Sequence, residues 1–230
     1  MSRLGKVILH IPARDGSKRL RHKNLRLLGG RPMISYAIDA AVGAKVTDNI
    51  YVNTDSLEII QYVRRSYPEV NIYERDKALA DDTTQSDHFN ADIIARLSPD
   101  TLIMINPVCP LITAVDVRDA VIAYEGSDCD TLITSNSTQM QVFCEDTPVN
   151  IKLGETLAPT QDNAVVNILN WAITIWDAAS FIDRFDRFGA AALGRKRLYH
   201  PLNVLKSIKV SHQEDLELCE SLIRSNARGL

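Results

Sequence analysis

Short apolar runs alternate with helix-like segments about four times in the first 135 residues, and this alternation most limits the fold. The runs have the length of buried strands and lie at 6–11, 50–54, 70–73, 101–105 and 131–134. The segments between them carry apolar residues at helical spacing. Because parallel strands need helical crossovers, this order predicts an α/β fold with a doubly wound, mostly parallel, Rossmann-like sheet covered by helices on both faces.

The rhythm changes after Ser135. Residues 136–175 are irregular, with predicted strands only near 140–143 and 165–175. We interpret about 136–190 as a β-rich arm within a single domain that covers residues 1–230. A last strand is predicted at 207–210, followed by a closing helix from His212 to about Arg224.

Composition narrows the class of protein. Hydrophobic residues make up 45% and charged residues 24%, which is typical of a soluble globular protein, and the net charge of −3 gives no sign of a nucleic-acid partner. The 4 cysteines form no CxxC pair, so we expect reduced thiols. No apolar run reaches the roughly 18 residues of a membrane helix. These observations predict a cytoplasmic protein without a membrane partner.

The segment from Arg14 to Arg26 is strongly basic, although the chain as a whole is acidic. It follows the first predicted strand, and open α/β sheets bind ligands at the carboxyl ends of their strands. Gly16 would let the backbone approach an anion, and the number of cations predicts a triphosphate as the ligand. Composition alone is equally compatible with a solvated basic loop, and both GxxxxGK[ST] and GxGxxG are missing. The cations are Arg14, Lys18, Arg19, Arg21, Lys23 and Arg26.

Several blocks of sequence occur in the order seen in one known family. IPARDGSK at 11–18 is followed by KNL at 23–25, and Arg75 is followed by Leu79-Ala80 and Asp82-Thr83. The remaining blocks are GRPMI at 30–34, VNTDS at 52–56, NPVCPL at 106–111, NWAIT at 170–174 and EDLE at 214–217. Together they resemble the acylneuraminate cytidylyltransferases, the family of the CMP-sialic acid synthetases, over about the whole chain.

The resemblance implies a nucleotide-diphospho-sugar transferase-like domain with a dimerisation arm and a homodimeric enzyme. It implies that CMP passes from CTP to the hydroxyl of an acidic sugar, that pyrophosphate leaves, and that Mg²⁺ takes part. Arg14, Lys18 and Lys23 match the catalytic cations on the triphosphate. The nucleotide positions match Ala13, Gly16, Ser17, Asn24 and Arg75, with Arg75 at the cytosine, and the acceptor positions match Asn106 and Asn170.

The sequence departs from the family where the metal should bind. Two aspartates that hold magnesium in the family align with Lys209 and Ser211, and an ammonium group cannot ligate a cation. Three accounts are open: Lys209 neutralises the phosphates itself, magnesium binds mainly through the triphosphate and an unplaced carboxylate, or the chain binds nucleotide without turnover. The pair Asp81-Asp82 is the first place to look for a replacement ligand.

The acceptor side departs as well. Ile112 replaces an arginine of the family, Trp171 replaces a glycine, and Thr174 replaces a tyrosine. These changes are compatible with a sialic-acid-like or other keto-sugar acid, or with a phosphonate acceptor. The alternatives from other classes are a catalytically silent nucleotide-binding homodimer and a guanylyl- or uridylyltransferase. Cys109 and His10 are interpreted as structural, because no base is assigned beside the thiol and the histidine lies inside a strand.

Overall fold

The computed structural model describes residues 3–14, 16, 20–81 and 83–225. Its first half contains β1 (Val7–Pro12), β2 (Leu27–Leu28), β3 (Arg31–Pro32), α1 (Ile34–Ala44), β4 (Ile50–Thr54), α2 (Leu57–Ser66), β5 (Asn71–Glu74), α3 (Ser86–Leu97) and β6 (Thr101–Ile105). Its second half contains α4 (Ala114–Glu125), β7 (Thr131–Thr138), β8 (Phe143–Cys144), β9 (Thr147–Pro148), β10 (Val166–Asp177), α5 (Ala178–Phe188), β11 (Arg197–Pro201) and α6 (Gln213–Arg224). The predicted alternation is therefore confirmed.

A 7-stranded sheet in the order β11-β7-β10-β6-β1-β4-β5 forms the middle layer. Only β10 is antiparallel to its neighbours there, and the other strands of this sheet share one direction. β1 pairs with β4 on one side and β6 on the other, so its backbone groups are satisfied within the sheet. The carboxyl ends of β1, β4 and β6 consequently lie together at one edge.

Helices cover both faces of this sheet, as the alternation predicted. Residues of α1, α2, α4 and α6 share one core cluster with alternate residues of β1, including Leu9 and Ile11. Residues of α3 and α5 pack on the opposite face against Ile8 and Trp176. Burying one such aliphatic or aromatic side chain contributes about 1.5–3 kcal/mol, which outweighs the helix propensity of these short segments.

The strand predicted at 207–210 is wrong. This segment has no strand structure, and the backbone N–H of Val210 donates to Val108 O at 2.8 Å instead of joining the sheet. The last strand is β11, which begins in the basic cluster at 195–197 and pairs with β7. Apolar alternation at 207–210 reflects the packing of Val210 into the core, whereas the edge strand β11 is half exposed and carries a weak apolar pattern.

The segment 136–190 has two parts. Its second part contains β10, an inner strand of the sheet, and α5, whose Phe181 is only 2% exposed. Residues 139–165 lie outside the seven-stranded sheet and contain the small β8–β9 hairpin. None of the helices described combines the length and apolar character needed to cross a bilayer.

Candidate active site

A cleft of about 790 Å³ opens where β1, β4 and β6 end. β1 leads into it through Pro12 and β6 through Asn106, so the site lies at the edge where open parallel sheets bind ligands. Its lining among the described residues is Pro12, Arg14, Lys23, Asn24, Arg75, Ser86, Phe89, Met104, Asn106, Pro107, Val108, Trp171, Ala192, Leu193 and Lys209. The residues come from eight separate stretches of the chain, which only the folded sheet brings together.

One side of the cleft is cationic. Arg14, Lys23, Arg75 and Lys209 all line it, and no aspartate or glutamate is among the described residues that do so. The Arg14 guanidinium also reaches toward Ala80 O, at 3.4 Å. A concentration of positive charge in a concave, partly dry cleft attracts a polyanion more strongly than the same charge on an open surface.

Arg75 is the most deeply buried of the four cations in the cleft. It is 6% exposed, and its guanidinium donates to the side-chain Oδ1 of Asn53 at 2.7 Å and to the Asn53 carbonyl at 3.0 Å. The same group lies over the ring of Phe89, 4.4 Å from its centroid. Burial lowers the pKa of Arg75 to about 10, a shift that Asp55 partly opposes and Arg14 reinforces. The guanidinium therefore stays charged at neutral pH in a fixed orientation.

Two asparagines bring amide groups to the cleft. The Asn24 side-chain amide donates to Arg14 O at 3.2 Å, while its buried Oδ1 has no hydrogen-bond partner in the described part of the chain. Asn106 is held at the end of β6, where its N–H donates to Ala172 O at 2.9 Å. A buried unpaired acceptor costs free energy, and a ligand hydroxyl or amino group would relieve that cost at Asn24.

The cleft also has an apolar wall, which Arg75 contacts through Phe89. This wall consists of Phe89, Met104, Trp171 and the loop residues Ala192 and Leu193. Asp87 at the start of α3 holds this loop, because its Oδ1 accepts from the N–H groups of residues 191 and 192 at 2.5 and 2.8 Å. The wall is therefore tied to the scaffold although it lies on irregular backbone.

Trp171 lies at an irregularity in β10. Its φ of 57° is in the left-handed region, and the register between β10 and β7 shifts between Leu169 and Thr174. Left-handed backbone costs a side-chain-bearing residue about 1 kcal/mol relative to glycine, which explains why a glycine suits this position in the family that the sequence resembles. In this chain the indole lines the cleft instead.

Asn170 is not among the cleft-lining residues. Its Oδ1 accepts from Thr134 Oγ1 at 2.6 Å and from Ala172 N–H at 3.1 Å, and its Nδ2 donates to Asn136 Oδ1 at 3.1 Å. These bonds link β10 to β7 across the irregularity. The asparagine thus positions its neighbour Trp171, and its side chain is engaged within the sheet.

The structure brings half of the predicted site residues together. Arg14, Lys23, Asn24, Arg75 and Asn106 line one cleft, and so does Lys209. The predicted residues Lys18 and Ser17 lie outside the described residues, as does Asp82. Ala13, Gly16 and Ser211 are not among the described lining residues. Ala13 is buried and its N–H donates to Asn53 O at 2.9 Å, while the N–H of Ser211 donates to Asp215 Oδ2 at 2.8 Å.

Sequence reasoning missed the apolar wall. Phe89 and Met104 fit helix and strand patterns that predict ordinary core packing, and Ala192 and Leu193 lie in a stretch without a recognisable block. Only Trp171 gave a usable signal, as a bulky residue at a glycine position. The apolar wall forms because α3, β6 and the loop after α5 pack against one another, and local sequence patterns do not predict such tertiary contacts.

The described residues of the cleft do not fit a protein-bound divalent cation. Magnesium is held through hard oxygen ligands, chiefly carboxylates, and the position expected for one of them carries the Lys209 ammonium. The described residues contain no group of three or more His, Cys, Asp or Glu side chains that could hold a metal. Asp81 accepts from the Thr83 N–H and hydroxyl at 2.9 and 3.0 Å, so it closes a turn.

Comparison with known proteins agrees with this geometry. A family model described as cytidylyltransferase matches residues 8–168. The chain is 34% identical over 121 residues to CMP-N,N'-diacetyllegionaminic acid synthase of Legionella pneumophila, in a match that covers 50% of this chain and 52% of that protein. It is 41% identical over 76 residues to pseudaminic acid cytidylyltransferase of Campylobacter jejuni, covering 33% of this chain and 32% of that one.

The chain thus spans about half the length of the Legionella relative and a third of the Campylobacter one. Among solved structures, CMP:2-keto-3-deoxy-manno-octonic acid synthetase complexed with CTP superposes with a TM-score of 0.71 and 14% identity, covering 96% of this chain and 99% of that chain. This likeness establishes the nucleotidyltransferase-like α/β fold. Because the family model covers well over half of the sequence, the chain belongs to the cytidylyltransferase family.

Proposed function

We propose that this protein transfers CMP from CTP to the hydroxyl group of an acidic sugar and releases pyrophosphate. The observation that carries the proposal is the cleft in which Arg14, Lys23, Arg75 and Lys209 converge at the carboxyl ends of the parallel strands. The names of the relatives support this choice, because they pair CMP or cytidylyl transfer with legionaminic, pseudaminic and 3-deoxy-octonic acids.

The two sides of the cleft suit the two substrates. Attack on the α-phosphorus places negative charge on the phosphoryl and leaving oxygens, and fixed cations in a partly dry site stabilise that charge. We assign the triphosphate to Arg14 and Lys23 and the cytosine to Arg75. The acceptor then lies between Asn106 and the apolar wall at Trp171, with its carboxylate toward the cationic side. Lys18, Ser17, Gly16 and Ala13 belong to this proposed nucleotide site through the family resemblance.

The test is pyrophosphate release from CTP in the presence of a panel of keto-sugar acids and phosphonates. We expect product with CTP and one class of sugar acid, identified by the mass of the CMP conjugate, and much less with UTP or GTP. Replacing Arg14 or Lys23 with Met should lower kcat/KM by about 10²-fold or more, as for loss of one electrostatic contact to a developing charge. Lys45→Met, at an exposed residue after α1, is the matched control and should behave as wild type.

If the protein released no pyrophosphate from CTP with any acceptor of the panel, this function would be overturned. That result would favour a catalytically silent nucleotide-binding homodimer, and the specific observation behind that second candidate is Lys209 at a metal-ligand position. A CTP-induced rise in melting temperature without turnover would be its signature. A conjugate formed only with phosphonates would move the acceptor to that class.

We also propose that residues 136–190 serve dimerisation within a single domain that spans residues 1–230. Support comes from residues 139–165, outside the sheet, and from the adjoining end of β10, where seven large apolar side chains in all are exposed. They are Met140, Phe143, Val149, Leu153, Leu157, Val165 and Ile168. Sedimentation analysis of the wild type against the double variant Leu153→Lys, Leu157→Lys tests this proposal, and a monomeric wild type would contradict it.

The unpaired cysteines fit a reducing compartment, and we place the reaction in the cytoplasm.

A further inference from the structure

The cationic side of the cleft contains a group that the family's metal-dependent chemistry does not use. The family that the sequence resembles has an aspartate at the position of Lys209, so the lysine reverses the charge at that point instead of merely removing a ligand. Among the described residues, Lys209 forms no hydrogen bond or ion pair with the protein. Its side chain is exposed to the cleft, and the ammonium group is therefore available to an incoming anion.

The backbone around Lys209 is anchored although it has no regular secondary structure. Before it, the Lys206 ammonium contacts both carboxylate oxygens of Asp116 at 2.9 and 3.0 Å. After it, the N–H of Val210 donates to Val108 O at 2.8 Å, and the N–H of Ser211 donates to Asp215 at 2.8 Å. The fixed backbone confines the Lys209 side chain to one region of the cleft, so that only its side-chain rotamers have to be ordered when an anion binds.

Lys209 lies in the same part of the cleft as Lys23. Lys209 and Lys23 both line the cleft, and both act electrostatically on the buried Cys109 thiol between their segments. Burial raises the pKa of Cys109 to about 12 in spite of the two ammonium groups, so the thiol remains neutral and does not compete for them. The positive charge near the end of β6 is consequently directed to whatever occupies the cleft.

We propose that the Lys209 ammonium takes the place of a protein-bound divalent cation on the triphosphate. The inference rests on the proposed CMP transfer. In that step the acceptor oxygen forms a bond to the α-phosphorus and releases its proton to solvent, while the bond from the α-phosphorus to the bridging oxygen breaks and pyrophosphate leaves with the electron pair. Lys209 and Lys23 neutralise the charge on the leaving pyrophosphate, a task for which a lysine point charge is suited.

The experiment compares metal-free conditions with added Mg²⁺, using chelator-treated protein, CTP and acceptor in excess EDTA. We expect the CTP-induced rise in melting temperature and the rate of pyrophosphate release to change less than about threefold between the two conditions. Lys209→Met should weaken CTP binding at least tenfold in EDTA and lower kcat/KM about 10²-fold. Lys45→Met should leave both unchanged. Lys209→Asp should bind CTP measurably only when Mg²⁺ is present.

Binding and turnover separate the two proposals. A wild type that requires Mg²⁺ for both CTP binding and turnover would overturn the role of Lys209 and leave the CMP transfer intact. A Lys209→Met variant that binds CTP as tightly as the wild type would overturn it as well. CTP binding that is indifferent to metal and lost in Lys209→Met, with no turnover under any condition, would support the role of Lys209 on the triphosphate and refute the proposed transfer.

Discussion

The ion pair between Asp116 and Lys206 should be one of the most sensitive points of the fold. The two side chains are 11% and 10% exposed, and the Lys206 ammonium contacts both carboxylate oxygens. The same carboxylate accepts from the N–H and hydroxyl of Thr113 at 2.8 and 2.6 Å, which caps α4. Asp116→Ala would leave an ammonium group nearly buried without a partner, at a cost of about 3–5 kcal/mol.

A double-mutant cycle on Asp116 and Lys206 also includes Lys206→Met and the double variant, and each should lose a different amount of stability. Lys206→Met keeps the Thr113 contacts of the carboxylate and the position of Asp116 in the first turn of a helix, so we expect a loss of only about 1–2 kcal/mol. The double variant should be more stable than the sum of the two losses predicts, with a coupling of about 2–3 kcal/mol. Asp119→Ala, an exposed residue of the same helix, should change stability by less than about 0.5 kcal/mol.

Urea unfolding at neutral pH measures the free energy of unfolding of the four variants and the wild type, and thermal unfolding gives a second readout. A chain of this length loses about 2–4 °C per kcal/mol, so Asp116→Ala should melt roughly 6–20 °C below the wild type. A loss equal to that of Asp119→Ala would refute the reasoning, because it would mean that Lys206 reaches solvent when its partner is removed. A coupling near zero would refute the pairing itself.

Three further predictions test the interior and the surface. Burial lowers the pKa of His10 to about 3, so only the unfolded chain binds a proton at this residue as the pH falls. The free energy of unfolding should therefore drop by about 2 kcal/mol from pH 6.5 to 5. In urea titrations His10→Gln should remove that drop, whereas the control His88→Gln, at an exposed residue, should keep it. Only Cys144 is exposed among the four thiols, so native protein should react with one equivalent of a thiol reagent, and Cys144→Ser with none. Gly194 (φ 58°) and Gly30 (φ 83°) both have left-handed backbone, but a Cβ would collide with Thr131 only at Gly194. Gly194→Ala should therefore lower the free energy of unfolding in urea by about 2–4 kcal/mol, and Gly30→Ala by about 1 kcal/mol. Equal losses would refute the steric argument.

The fold was largely predictable from local patterns. The strands β1, β4 and β6 are apolar runs of strand length ended by proline, a polar cap or asparagine, and α4 begins at the Thr113 cap. The last strand was not predictable in this way, because β11 is half exposed at the sheet edge and carries charged residues. Apolar alternation also misled at Val210, where burial in a loop gives the same pattern as a strand.

The site was predictable only where residue type and chain position agree. Arg14 and Lys23 follow the first strand, and their charge alone suggests an anion there. Arg75 and Lys209 come from distant parts of the chain, and only the family resemblance brought them to the same site before the structure did. Phe89 carried no signal, because its role depends on a guanidinium that lies over its ring.

Two energetic costs in the cleft favour the same kind of ligand. Four cations share a lining in which the described residues include no carboxylate, so an anion that binds there lowers their mutual repulsion. Trp171 holds a left-handed backbone conformation that would favour glycine, and its indole faces the same cleft. A fold that served only as a scaffold would lose nothing by relieving either cost with a substitution. Both are compensated when a polyanion and an acceptor with an apolar face bind together, which is the pair of substrates that CMP transfer to an acidic sugar requires.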